Sequence, residues 1–282
     1  MKYKHLLILS VPILIFFVLE VLILKSFLFF SFASENSQRL GVYSVEQGRS
    51  FFNYSSIVYF SIFILSFLIF FTSWFIVREK INIRQWSKFL FFPWIFFISI
   101  TSYVFILSDV YFIYFLLFLN SLLLFFYFRN IFFYIIRSDL YKDGALSNIS
   151  SYGGFLIVFF IGSFSYGAQT FLNLSKWPLL IILFFIFLFL FDYIFWINNI
   201  SRKELKYLPI VLSIALLEVA YSLFWLPFAY NTLGLILAIF YYLISESIKA
   251  FLNQKLDKRR LKIYLFIAIS SVFLILFTSR VN

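Results

Sequence analysis

Residues 178–197, PLLIILFFIFLFLFDYIFWI, and residues 198–207, NNISRKELKY, decide the fold when taken together. The first segment carries one charge in twenty residues, Asp192, and the second carries Arg202, Lys203 and Lys206 against Glu204. An α-helix rises about 1.5 Å per residue, so twenty residues reach about 30 Å, the thickness of bilayer hydrocarbon. A basic stretch directly after such a helix marks the cytoplasmic end of a membrane span.

The same pattern repeats along the chain. The apolar runs predict nine spans: Leu6–Leu24, Tyr54–Val77, Phe89–Leu107, Val110–Phe128, Tyr152–Leu172, Pro178–Ile197, Leu208–Phe228, Leu233–Phe251 and Ile263–Thr278. Of the 23 Lys and Arg residues, 18 fall in alternate connections: the N-terminus, 78–88, 129–150, 198–207 and 249–262. Only Lys25, Arg39, Arg49, Lys176 and Arg280 fall on the other side. The split predicts a cytoplasmic N-terminus and an outer C-terminus, in a plasma (inner) membrane. Adding or removing one span would destroy the alternation downstream of it. Two hairpins, at Ser108-Asp109 and at Ala229–Thr232, leave almost no loop. The basic start and apolar run of the N-terminus resemble a signal peptide, but the run exceeds the usual h-region and reads as a retained anchor.

Composition agrees. The chain has 282 residues, 63% hydrophobic and 12% charged, whereas soluble domains carry roughly 25% charged residues. With lipid as solvent the backbone must satisfy its own hydrogen bonds, and long continuous apolar runs favour helices over barrel strands. The expected fold is therefore all-α: one polytopic transmembrane helical bundle over residues 1–282. Its halves would be 1–136 and 152–282, with 137–151 as a flexible cytoplasmic join. The 46 Phe residues read as the apolar vocabulary of an AT-rich genome rather than an aromatic-lined site. The net charge of +11 sits beside membrane, where it serves orientation and anionic headgroup contact. The expected partners are thus the lipid bilayer and a membrane protein or second copy, and not nucleic acid.

The chain has no Cys and one His, His5. That excludes disulfides, thiolate catalysis, zinc clusters and His-based triads. No P-loop, G-x-S-x-G or H-E-x-x-H is present, so no catalytic residue, metal or cofactor is expected. Asp139 and Asp143 have the spacing of a magnesium–diphosphate pair. The matching loop, 198–207, offers only Glu204, so a solvated loop is the simpler reading. The N-x-S triplets at Asn53, Asn148, Asn173 and Asn199 are what this composition produces by itself.

Acids inside spans are the remaining candidates, because each costs about 2.5–3.5 kcal/mol at the bilayer centre. Glu218 lies mid-span, with Tyr221, Ser222 and Trp225 following on one helix face. This stripe could bind a cation, pass a proton, or hold a carboxyl hydrogen-bonded to a neighbouring helix. Asp192 sits in the inner third of its span with Trp196 at i+4. Glu246 lies near an inner end with Tyr242 at i−4 and Lys249 at i+3, the spacing of an interfacial pair. Glu20 and Lys25 read as a weak pair at the outer interface. The candidate binding residues are thus Glu218, Tyr221, Ser222, Asp192 and Glu246. The span 152–172 is the least apolar, with Gly153, Gly154, Gly162, Ser163, Gly167 and Gln169. Ser163 and Gly167 form a small-xxx-small pair that admits a neighbouring helix, and Asn120-Ser121 could hydrogen-bond across helices.

The run LEVAYSLFWLPFAYNTLGLILAIFYYLISESIKAFL begins at Leu217. Together with its flanks, residues 205–265, it resembles a group of uncharacterised multi-pass membrane proteins of candidate-phyla bacteria. The shared elements are an acid followed by Ala (Glu218, Ala220), a Phe-Trp-Pro-like turn interrupted here by Leu226, and a basic segment after the next span. The resemblance implies a small-genome bacterium and no mechanism.

Three functions fit. A small-solute or ion-coupled transporter would use Glu218, Asp192 and Glu246 as a path. A non-catalytic membrane scaffold or assembly subunit would use the acids as helix contacts. An enzyme acting on lipid-linked substrates lacks a second acidic motif. Convergence of the three acids on one cavity favours transport, and dispersal favours a structural role.

Overall fold

In the computed structural model the described residues are 66–72, 74, 83–107, 109–136, 145–198, 205–252, 266, 270 and 273. The predicted span Leu6–Leu24 lies outside them, as do most of Tyr54–Val77 and of Ile263–Thr278. So do Glu20, Lys25, Asp139 and Asp143. Every regular element among the described residues is an α-helix. Residues 66–72 and 74 are helical. The complete helices are α1 (Ile83–Val104), α2 (Val110–Ile136), α3 (Ala145–Leu172), α4 (Lys176–Ile197), α5 (Leu208–Leu223) and α6 (Tyr230–Leu252). Among the described residues, four stretches are long and apolar enough to cross a membrane: Tyr111–Ile135, Ala145–Leu172, Lys176–Ile197 and Tyr230–Phe251. Two apolar helices, Lys88–Val104 and Leu208–Leu223, are shorter.

The chain divides into two compact units, Met1–Trp94 with Asp109–Arg137, and Ile95–Ser108 with Ser138–Asn282. In the first unit, α1 carries Pro93 inside it. Proline has no N–H to give the carbonyl four residues back, that of Phe89. The Tyr127 hydroxyl of α2 donates to that carbonyl at 3.2 Å, so α1 continues without an orphaned group. The rings of Phe92 and Tyr127 stack beside it, 5.2 Å apart. Asp109 starts α2: its carboxylate accepts the N–H groups of Tyr111 (3.0 Å) and Phe112 (3.3 Å), as an N-cap does. α2 therefore starts from an Asp109 cap.

Three helices run through polar residues beyond their predicted ends, α1 by starting at Ile83 rather than Phe89. α2 passes Phe128 and runs on to Ile136. The Asn130 amide donates to the Phe126 carbonyl (2.8 Å), and Arg129 lies over the Phe133 ring, 5.6 Å from its centroid. α3 begins at Ala145, not Tyr152, so residues 145–151 of the expected flexible join are helical. Ser150 and Ser151 donate to the carbonyls of Leu146 (2.6 Å) and Ser147 (2.9 Å), one turn back. Serines that bond within the helix ride along it rather than breaking it.

In the second unit, α3 and α6 form the most extensive helix pair. Asn173, in the left-handed region at φ 49°, reverses the chain between α3 and α4. Pro178 falls in the first turn of α4, where a missing N–H costs little. Asn198 closes α4 and accepts from Ser147 at the start of α3 (2.9 Å). α5 is five residues shorter than its predicted span, because residues 224–226 tighten into i→i+3 turns ahead of Pro227. Tyrosines bind the helices together. Tyr103 donates to Asn231 at 2.8 Å, and Tyr166 donates to the Ala220 carbonyl at 3.2 Å.

Candidate functional site

The α3–α6 seam begins from small residues. Ser151 meets Lys249, Gly154 meets Tyr241, Gly162 meets Leu237 and Gly234, and Gly167 meets Tyr230. Numbers rise along α3 as they fall along α6, so the helices are antiparallel. A Cβ on Gly234 would lie 2.7 Å from the Ser163 nitrogen and 2.9 Å from the Phe159 carbonyl oxygen. The backbones touch there, and only glycine permits it. At Gly154 the missing Cβ leaves room for the Tyr241 hydroxyl.

One end of this seam holds a charged cluster. Lys249 is only 8% exposed. Its ammonium donates to Glu246 on its own helix at 2.8 Å and to Ser151 on α3. An ammonium has three N–H donors, and the two partners take two of them. The interfacial Glu246–Lys249 pair that the spacing predicts is formed, and the lysine also reaches Ser151 and ties two helices together. Neither the contact with Ser151 nor the burial of Lys249 is among the features expected from the sequence. Ser151 lies one helical turn from Gly154, so it shares the close-packed face; that spacing was the available signal. Further along, the Tyr241 and Ser163 hydroxyls are buried without a hydrogen-bond partner among the described residues.

The other candidates lie elsewhere. Glu218 is exposed on α5, and no hydrogen bond or ion pair joins its carboxylate to a described residue. The Ser222 hydroxyl donates to the Glu218 backbone carbonyl at 2.9 Å and so does not serve the carboxylate. Tyr221 is 41% exposed and packs edge-on against Trp225, centroids 6.2 Å apart. Trp225 in turn lies under the Lys176 ammonium, 3.4 Å from the ring centroid. Asp192 is exposed on α4, with Trp196 half-buried beside Tyr193. Glu218, Tyr221 and Ser222 thus share one outward face of α5, while Glu246 lies at the α3–α6 seam. Among the described residues no group of three His, Cys, Asp or Glu side chains is placed to hold a metal ion.

No family model, curated protein or solved structure matches the chain.

Proposed function

We propose that the chain is a non-catalytic membrane scaffold or assembly subunit. The supporting observation is the outward placement of Glu218, a carboxylate without a side-chain partner among the described residues. It lies in an apolar helix. Such a group is costly in lipid and marks a site where another polar group arrives. The protein sits in a bacterial inner membrane with nine spans, N-terminus cytoplasmic and C-terminus outside. The 18-to-5 division of basic residues supports that topology. Purification from native membranes tests the function: a stoichiometric partner is expected, and a lone monomer would sink the reading. Reporter fusions to the two termini test the topology.

A second reading, a small-solute or ion-coupled transporter, draws on the part-buried Lys249–Ser151–Glu246 cluster. Ionisable groups buried inside membrane bundles commonly lie on ion paths. Uptake of a proton-coupled solute series into proteoliposomes, abolished in Glu246→Gln, would favour transport over assembly.

A further inference from the structure

The assembly reading leaves the partner's chemistry open, and α5 narrows it. Val211, Ala215, Glu218 and Ser222 of α5 recur at steps of four, three and four, Trp225 follows in the turn after the helix, and all five are exposed. That is the seam spacing with which one helix receives another. Ala215 and Ser222, one turn either side of Glu218, are small, so a partner backbone can come close to the carboxylate. Val211 and Trp225 are large apolar ends, 56% and 66% exposed. Among the described residues Lys176 lies over Trp225, and Lys249 is held by Glu246 and Ser151, so neither pairs with Glu218. Two copies related by a two-fold axis through this face would set Glu218 against Glu218, a like-charge contact.

Resting on the assembly reading, we infer that this face of α5 docks a transmembrane helix of a different chain, one that carries a Lys or Arg near its middle. The basic side chain pairs with the Glu218 carboxylate, and flanking apolar residues pack over Ala215 and Ser222. The carboxylate fixes depth and register, and the small residues set how near the helices come.

The chain has no Cys, so a single Ser175→Cys label reports binding cleanly in phosphatidylcholine vesicles. The probes are acceptor-labelled polyleucine peptides of about 20 residues with a central Lys or a central Leu. Energy transfer should show the Lys peptide binding roughly tenfold more tightly than the Leu peptide. The preference should fall to parity in both Glu218→Leu and the near-isosteric Glu218→Gln. Equal binding of the two peptides to the unaltered chain overturns the inference. So does a Lys preference that survives both substitutions in variants whose thermal unfolding matches the parent. Peptide-independent transfer between labelled copies, lost in Glu218→Leu, overturns it in favour of a homodimer. A native partner that co-purifies equally with the parent and Glu218→Leu leaves assembly standing and removes α5 as its site.

Discussion

The α3–α6 seam and the outward face of α5 use the same kinds of residue to opposite ends. Both combine small side chains with a glutamate. In the seam the small residues are already filled by the facing helix, and Glu246 is paired with Lys249. On α5 the small residues face outward and Glu218 has no partner among the described residues. Small residues and a carboxylate therefore do not distinguish a finished contact from an open one. What distinguishes them is whether another described helix supplies the complement.

Breaking the seam should damage the fold, while breaking the α5 face should not. The largest effect is expected for Gly234→Ala. Its methyl group meets the Ser163 nitrogen and Phe159 carbonyl, backbone atoms that cannot rotate away. A loss of about 3 kcal/mol is expected from such overpacking, read by SDS unfolding in mixed micelles. An unchanged midpoint would mean that the helices are not held in contact there. Next, Lys249→Met should cost about 2 kcal/mol by stranding Glu246, and Lys249→Met with Glu246→Leu should recover most of it. A double variant as unstable as the single one would show that the pair does not act as a unit. Removing the orphaned hydroxyl with Tyr241→Phe should be neutral or stabilise by up to about 1 kcal/mol. A clear destabilisation in the same titration would reveal a hidden partner. Smallest of all, Glu218→Leu should move stability by no more than about 0.5 kcal/mol. A large loss would place Glu218 inside the fold's own contacts and erase the contrast between the two regions.

Among the described residues, helices are legible where an apolar run has sharp polar ends. The run 178–197 predicts α4 to within two residues of Lys176–Ile197, because lipid-length segments leave the backbone no alternative to a helix. Ends were less legible wherever polar side chains bond locally. Ser150, Ser151 and Asn130 read as loop by type, yet each donates to its own helix four residues back. The sequence also places Pro93 in a span without revealing that Tyr127 would satisfy Phe89. The candidate acids were visible one by one, but their surroundings were not. Ser151 and Lys249 are 98 residues apart in the chain, and no local pattern links them.

Composition and periodicity by themselves determined that the chain is helical and built of membrane-length apolar segments. Both properties follow from single residues and their near neighbours in an apolar solvent. Only the tertiary structure decided which face of each helix is covered. It turned Lys249 inward against Ser151 and left Glu218 facing out. Those outcomes depend on which helices pack together. Packing depends on side chains distant in sequence meeting at one point, which a one-dimensional pattern does not specify.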